Sequence, residues 1–471
     1  MNQVPSKHMR TFHVILVILL VGFLLRMFDL ETKGLWLDEI HSAVAADPDH
    51  TLAGVIKHAE ADQPPVYFIV LHEWYKMTSY GDFDGRLLSV IIGLLGILAM
   101  YFLGKEFKDH KLGIVAAFFT AINYFHIDHS RQVRFYPFLF LFALLSFLFF
   151  IRCLKNKRSI DFLWYTLFTS LLLNTHYFGM VVFLSQFLLF LFIIIWKKIT
   201  DIKFILQSSV SGIFAGLSFL HWLPVIVSDL QINAFHIASV KWYFLIQYFY
   251  VYFGDPVSSI IFGILFLLAV RIIILRFKSR SHTIEDVVLV GWIVMGFLIP
   301  LIYSWLKIPM LESKYTFVVL PAILLIVALG FDIIQFKEWS FYLIPVLIFS
   351  LFFNALFFKR LYQISNPPEQ WREVTREIMK SDKDTQWVFS EYAWYFRYYF
   401  KIYKGINQPL EPRYANFKAT LSSARSIWVL TSTRFPDKGL SQKQQQELEA
   451  EFDLAETVNF TDSYARHYIR R

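Results

Sequence analysis

The chain has 471 residues, of which 56% are hydrophobic and only 17% charged, and its formal net charge is +8. A soluble chain of this size would carry more charge, and apolar stretches long enough to cross a bilayer recur from residue 11 to residue 358. We therefore predict a polytopic, all-α membrane protein. Basic residues in short loops between spans explain the positive charge without a nucleic-acid partner.

The apolar segments give the predicted order of the membrane helices. The predicted spans are 11–28, 86–104, 112–127, 137–152, 160–178, 179–196, 203–224, 256–275, 284–303, 314–334 and 340–358. The stretch 160–196 is too long for one helix and is predicted to turn at 176–179. Two further stretches, 64–80 and 242–253, are rich in Tyr and Trp and are predicted to lie at the outer interface without crossing.

Lysine and arginine residues indicate the orientation. They precede the first span and then recur in alternate short loops, around residues 105–111, 152–158, 197–203, 271–280 and 337. Because such loops face the cytoplasm, the N-terminus is predicted inside and the segment 360–471 outside. The loop 29–85, with eleven acidic and three basic residues, is then external.

The motif LWLDEIHSA at 35–43 places two carboxylates, Asp38 and Glu39, in this outer loop. Its Leu-Trp-Leu is predicted to anchor at the outer interface, followed by a short helix along the membrane. An ordinary hydrophilic loop is the alternative for a single acidic pair. Other polar groups at the outer ends of the spans favour a functional role.

The segment HIDHSRQVRFYPF at 126–138 carries Arg131, Arg134 and Tyr136 at a membrane boundary. Two arginines on the outer side depart from the usual charge bias, and charges at membrane depth are usually functional. On a helix the two arginines would share a face, and guanidinium groups suit phosphate. The alternative is that they reach towards lipid headgroups.

Two later outer ends add further polar groups. His176 and Tyr177 lie in NTHYFG, and Lys314 and Tyr315 lie in MLESKYTFVVLP. A single histidine is more often structural than catalytic, and Lys314 has Glu312 as a possible ion-pair partner. Together with the carboxylates and arginines, these residues predict a site for a phosphate-bearing lipid and a catalytic base.

The order and spacing of these motifs resemble the family-39-like, polyprenol-dependent membrane glycosyltransferases, which include protein O-mannosyltransferases and the aminoarabinose transferase of lipid A. The matching features are the DE pair, PP-x-Y with Tyr67, GRLLSVIIGLLG, SRQVRFYPFLFLF, HY at 176–177 and KYTFVVLP at 314–321. Two positions depart from the family pattern. Gln63 stands where histidine is usual, and Lys314 replaces a common arginine, which keeps the charge but loses the bidentate fork.

The resemblance implies a C-type glycosyltransferase fold and transfer of one sugar from a polyprenyl-phosphate carrier to an acceptor hydroxyl. Attack opposite the phosphate would invert the anomeric carbon, whereas retention would need a second carboxylate as nucleophile. Asp38 would be the base and Glu39 its supporting carboxylate. Arg131, Arg134 and Lys314 would bind the donor phosphate. The residues expected to bind substrate are Tyr67, Tyr136, His176, Tyr177 and Tyr315. No metal and no cofactor are expected.

The sequence also predicts a domain division. Residues 1–359 form the membrane domain with its outer loop, and 360–471 form a small soluble α/β domain, with strands at 385–390 and 425–432 and helices at 369–380 and 441–450. The expected location is a bacterial inner membrane, with a lipid, protein or glycan acceptor. A lipid-linked-sugar transporter or flippase, and an inactive assembly protein, are the alternatives.

Overall fold

The structure, a computed structural model, describes residues 7–59, 63–229, 237–333, 370–381, 387–403, 409–432, 439–461 and 463–471. The chain forms two compact units. The first comprises Met1–Phe28, Ile56–Val70 and Leu87–Tyr362, and the second comprises Asp29–Val55, Leu71–Arg86 and Gln363–Arg471. The predicted division assigned the loop 29–85 to the membrane domain, whereas the structure groups most of this loop with the C-terminal segment.

The described part of the chain before residue 334 is helical. In chain order, helices α1 to α16 are Lys7–Met27, Leu37–Ala45, Leu52–Ala59, Val66–Met77, Asp82–Phe107, His110–Ile122, Tyr124–His129, Tyr136–Asn156, Ser159–Leu173, Phe178–Lys197, Ile202–Leu217, Leu223–Asp229, Phe244–Phe253, Pro256–Lys278, Ile284–Leu306 and Leu320–Ile333. Short 3₁₀ turns cover Leu220–Trp222 and Tyr315–Val318. The prediction of a helical membrane protein is confirmed.

Six helices of the described chain are long and apolar enough to cross a membrane. They are Asp82–Phe107, Tyr136–Asn156, Phe178–Lys197, Ile202–Ser228, Pro256–Lys278 and Ile284–Leu306. The predicted spans at 11–28, 112–127, 160–178 and 314–334 correspond to shorter apolar helices, and the predicted span 340–358 lies outside the described residues. The predicted turn at 176–179 is confirmed, because α9 ends at Leu173 and α10 begins at Phe178.

The basic loops predicted to share one face are joined by ion pairs. Lys155, at the end of α8, lies 2.9 Å from Glu106 at the end of α5 and 3.0 Å from Glu285 at the start of α15. Lys157 binds Asp201 at 2.9 Å, which adds the loop before α11. These helix ends therefore lie on the same face of the first unit, as their charges predicted.

Close helix packing in this unit depends on small residues. A Cβ atom at Gly330 in α16 would lie 1.9 Å from the carbonyl oxygen of Leu265 in α14, so the two backbones are in direct contact. Elsewhere in this unit, Trp292 in α15 stacks on Phe147 with ring centroids 3.8 Å apart and donates a hydrogen bond from Nε1 to the Val318 carbonyl at 2.9 Å. This hydrogen bond holds the end of the 3₁₀ turn that begins at Tyr315.

The second unit contains a four-stranded sheet. Its strands are β1 Trp387–Ser390, β2 Ser426–Ser432, β3 Phe452–Phe460 and β4 Ser463–Arg470, in the order β1-β2-β4-β3. Only β1 and β2 are parallel. Helices α17 to α20 are Trp371–Ser381, Ala393–Ile402, Tyr414–Ser423 and Gln442–Glu451. The prediction of a small C-terminal α/β fold is confirmed, although β3 and β4 were not predicted.

Candidate functional site

Glu39 lies in the first turn of α2 and is almost completely buried, with 1% of its surface exposed. The Arg86 guanidinium donates to both carboxylate oxygens, with Nε 3.1 Å from Oε1 and Nη2 2.9 Å from Oε2. The backbone N–H of Trp36 also donates to Oε2, at 3.2 Å. The carboxylate therefore stabilises the start of α2, and a supporting role of Glu39 in catalysis stays a prediction.

Asp38 precedes Glu39 and points about 100° away around the helix. Its side chain is half-buried, so the carboxylate is accessible where that of Glu39 is not. The expectation that Leu-Trp-Leu anchors in the membrane interface is wrong for Leu35, which is fully buried in the protein. The short helix expected after this motif is present as α2. Its position relative to a membrane stays a prediction.

Sequence reasoning did not identify Arg86 as part of this region. Besides Glu39, its guanidinium donates to the carbonyl oxygens of Leu30 at 2.9 Å, Lys33 at 2.6 Å and Gly34 at 3.0 Å. Arg86 begins the predicted span 86–104, on the outer side of the membrane by the predicted topology. The charge-bias argument applied to Arg131 and Arg134 could therefore have found it.

In the first unit, Arg131 and Arg134 have different surroundings. They lie in a non-helical turn between α7 and α8, so the expectation that they share a helix face is wrong. Arg131 donates from Nη2 to the carbonyl oxygen of Phe28 at 2.6 Å, just beyond the end of α1. Arg134 is buried, and its guanidinium carbon lies 4.9 Å from the centre of the Phe135 ring.

His176 lies on the other side of Phe135. The two rings stack with centroids 4.5 Å apart, and the imidazole is 5.2 Å from the ring of Tyr315. The backbone N–H of Phe178 donates to Nδ1 at 3.1 Å, so Nε2 carries the proton of the neutral ring. Burial, followed by the charges of Arg134 and Lys314, lowers the pKa of His176 to about 3.

Lys314 completes this group of residues. Its ammonium lies 5.3 Å from the centre of the Tyr315 ring and 3.3 Å from a carboxylate oxygen of Glu312. The ion-pair partner considered for Lys314 in the sequence is therefore present, on a partly exposed side chain. We call Arg134, Phe135, His176, Lys314 and Tyr315 the Phe135 cluster.

Three tyrosines of the predicted site lie at or near this cluster. Tyr67 contacts the edge of Phe135, with centroids 6.3 Å apart, and Tyr136 lies against the same ring at 4.5 Å. The hydroxyl of Tyr177 instead accepts a hydrogen bond from Trp222 Nε1 at 3.1 Å. The first unit therefore brings together Arg134, Lys314, His176, Tyr315, Tyr67 and Tyr136, whereas Arg131 caps a helix end.

An apolar cavity of about 1320 Å³ lies among α8, α9, α10, α11 and α15. Along α10 its wall extends from Phe178 to Phe190, which at 1.5 Å per residue is about 18 Å. His176, Tyr177, Tyr315 and Gln63 line it near the α9–α10 turn. The Val66 N–H donates to the Asn174 carbonyl at 3.0 Å, which places the segment after Gln63 beside this turn. One end of the cavity is thus shared with the Phe135 cluster.

Metal binding was not expected from the sequence. Within the residues that the structure describes, no group of three or more His, Cys, Asp or Glu side chains is arranged to hold a metal ion. That the protein works without a metal ion stays a prediction.

Part of the chain is similar to a known protein family. Residues 62–222, which carry Arg134, His176 and much of the cavity wall, match the family model of dolichyl-phosphate-mannose-protein mannosyltransferases. The predicted family resemblance is confirmed. No curated protein sequence matches the chain.

Solved structures show the same fold. ArnT from Cupriavidus metallidurans in the apo state has a TM-score of 0.67 at 10% identity, over 98% of this chain and 98% of that one. The same protein bound to undecaprenyl phosphate has a TM-score of 0.62 at 10% identity and the same coverage. The oligosaccharyltransferase AglB from Archaeoglobus fulgidus has a TM-score of 0.56 at 11% identity, over 90% of this chain and 69% of that one. The chain therefore has the predicted C-type glycosyltransferase fold.

Proposed function

We propose that this protein transfers a monosaccharide from a polyprenyl-phosphate donor to an acceptor hydroxyl at the outer face of a bacterial inner membrane. The observation that carries the proposal is the joining of the Phe135 cluster to a long apolar cavity. His176 and Tyr315 belong to both. A ligand that fills both has a charged head and a long hydrocarbon tail.

The cavity suits the hydrocarbon part of such a donor. Its wall is almost entirely apolar and follows α10 for about 18 Å, and pockets of this kind bind ligands mainly by removing apolar surface from water. The undecaprenyl phosphate of the ArnT complex and the dolichol-phosphate of the AglB complex have the same chemical character, which supports a polyprenyl chain here.

The Phe135 cluster suits the phosphate. Arg134 provides a planar group of N–H donors, and Lys314 provides a mobile positive charge. The Nε2–H of His176 adds a neutral donor at physiological pH, because its pKa is about 3. These groups stabilise the negative charge that develops on the phosphate as it leaves. Arg131 has a lesser role, since its guanidinium binds the end of α1.

Asp38 is the proposed general base. It removes the proton from the acceptor hydroxyl while the hydroxyl oxygen forms a bond to the anomeric carbon of the sugar. The bond from this carbon to the phosphate oxygen breaks, and its electron pair leaves with the polyprenyl phosphate. A single displacement of this kind inverts the anomeric centre. Glu39 is held by Arg86 and keeps α2 in place.

The test compares polyprenyl-phosphate sugars by mass spectrometry in cells with and without the protein. One lipid-linked sugar should accumulate when the protein is absent, and the wild-type gene should remove it. Asp38→Asn should fail to remove it, because loss of a general base costs about 10²–10⁴-fold in rate. Glu31→Gln, an exposed carboxylate of the same loop, is the matched control and should restore normal levels.

Release of free polyprenyl phosphate distinguishes a transferase from a transporter. In isolated membranes supplied with the accumulated lipid, a transferase releases polyprenyl phosphate and a transporter leaves the donor intact. Release by wild type and not by Asp38→Asn supports the proposal. An intact donor with wild-type protein would favour the flippase, and normal lipid levels without the protein would favour the inactive assembly protein.

A further inference from the structure

The segment Leu30–Gly34, directly before α2, has no regular secondary structure. All five of its consecutive backbone carbonyls accept hydrogen bonds from arginine side chains. Arg86 binds those of Leu30, Lys33 and Gly34, and Arg372 binds those of Glu31 and Thr32. Backbone polar groups outside regular secondary structure need other hydrogen-bond partners, and here two guanidinium groups supply them.

Arg372 comes from α17 in the C-terminal part of the chain. It is 6% exposed, and its Nη1 lies 2.8 Å from the Glu31 carbonyl. Its charge is balanced by Asp82, at 3.3 Å, and by Glu373, at 3.0 Å. A Cβ atom at Gly34 would lie only 3.0 Å from the Cβ of Arg372, so backbone and side chain are in close contact.

The backbone N–H that follows these five carbonyls, that of Leu35, is also held by a residue of the C-terminal part of the chain. The N–H of Leu35 donates to the hydroxyl of Tyr399 in α18 at 2.6 Å. The hydroxyl of Tyr398 in turn donates to Asp82 at 2.9 Å. Residues far apart in sequence therefore form one partly buried network around the segment that leads to Asp38.

We propose that Arg372 is a positioning residue for Asp38, and that the C-terminal part of the chain is thereby a component of the transferase. The inference rests on the proposed role of Asp38. Only a few residues separate the bound carbonyls from Asp38, so movement of the segment moves the start of α2. A displacement of about 1 Å can cost about 10²-fold in rate.

Arg372→Lys keeps the positive charge opposite Asp82. The lysine ammonium, however, cannot bind the carbonyls of Glu31 and Thr32 together as the planar guanidinium does. The control is Arg376→Lys in the same helix, an exposed residue that donates to the Tyr403 hydroxyl at 2.7 Å. Hydrogen exchange is measured on the purified full-length protein. Amides in peptides covering residues 30–45 should exchange about tenfold faster in Arg372→Lys, as expected for losing a hydrogen bond to a charged group, and at the wild-type rate in Arg376→Lys.

Tyr399→Phe is the second variant. It removes the hydroxyl that accepts from the Leu35 N–H and donates to Asp82 at 3.4 Å, while the Arg372 side chain itself is unchanged. It should also speed exchange in this region, so the inference does not depend on the folding of one variant. Unchanged exchange in both variants would overturn the inference.

The second measurement is release of polyprenyl phosphate in isolated membranes, from the lipid identified above. Arg372→Lys should lower the rate about tenfold or more in the wild-type background and have little further effect in Asp38→Asn, because a residue that acts through another is not additive with it. A full further loss, or a wild-type rate in the single variant, would overturn the inference. A fully active Asp38→Asn would overturn the proposed base itself.

Discussion

The Glu39 carboxylate and the Arg86 guanidinium form a buried two-point ion pair, with donor–acceptor distances of 3.1 and 2.9 Å. Neighbouring carboxylates in the DE motif thus have different surroundings, since Asp38 is half-buried and Glu39 is enclosed. This difference separates a candidate catalytic group from a structural one.

Glu39→Gln should therefore destabilise the protein. The buried charge of Arg86 would lose its counter-charge, which costs roughly 3 kcal/mol. Thermal unfolding of the purified protein in detergent would show a lower midpoint. Glu73→Gln is the control, because Glu73 forms an exposed pair with Lys76 at 3.1 Å, and such pairs contribute about 1 kcal/mol or less. A wild-type midpoint with complete loss of activity would instead indicate a direct chemical role for Glu39.

Arg134→Lys should weaken binding of undecaprenyl phosphate about tenfold, because the planar fork is lost while the charge is kept. Arg131→Lys should have a smaller effect, since its guanidinium binds the Phe28 carbonyl. Native mass spectrometry of the purified variants with undecaprenyl phosphate measures both. Equal affinities for wild type and Arg134→Lys would remove Arg134 from the proposed phosphate site.

His176 should make the protein sensitive to acid. Its folded pKa of about 3 lies below the unfolded value of about 6.5, so the unfolded state takes up a proton first as the pH falls. The stability contributed by the neutral ring is present above about pH 6.5 and is lost below it, by about 1.4 kcal/mol per pH unit.

His176→Gln tests this dependence because glutamine has no proton to gain. Unfolding midpoints are compared between about pH 7.5 and about pH 5.5. The variant has a lower midpoint at the higher pH, since the ring contacts with Phe135 are lost, but its midpoint should fall less on acidification. An identical fall in both proteins would contradict the assignment.

The predicted topology places Lys203 inside and Lys380 outside. Both side chains are exposed, and each is replaced by cysteine in a Cys153→Ala background. An impermeant thiol reagent applied to intact spheroplasts should label position 380 and leave position 203 unlabelled until the cells are lysed. The reverse pattern would invert the orientation.

Gly330→Ala should lower the unfolding midpoint, because its methyl group would meet the Leu265 carbonyl oxygen at 1.9 Å. Overpacking of this kind costs about 1–3 kcal/mol. Gly212→Ala in α11 is the control, since a Cβ atom there has no neighbour within 4 Å among the described atoms. Equal midpoints for the two variants would mean that α14 and α16 separate easily.

Hydropathy predicted most of the helical part of the fold because transmembrane length and apolar composition are local properties. Charge bias predicted the shared face of the basic loops, which the contacts of Lys155 with Glu106 and Glu285 confirm. The edge strand β3 was missed because five consecutive residues in it are exposed, so it lacks the alternating apolar pattern of a half-buried strand.

The candidate site was predictable where polar residues stand at the ends of apolar segments, as with Arg134, His176 and Lys314. The position of Arg131 depends on a carbonyl of Phe28, 103 positions earlier, and no local pattern indicates such a contact. The same holds for Arg372, whose sequence surroundings are those of an ordinary amphipathic helix. Its partners become visible only when the chain is folded.

The contact between Arg372 and the Glu31 carbonyl joins positions 341 residues apart. At typical synthesis rates of about 5–20 residues per second, the ribosome needs roughly 17–70 s to make the second partner after the first. The segment before the DE motif is therefore made well before the arginine that binds its carbonyls. Chains interrupted between these two positions would carry the DE motif without the contacts of Arg372, so this loop reaches its final structure only after residue 372 has been made.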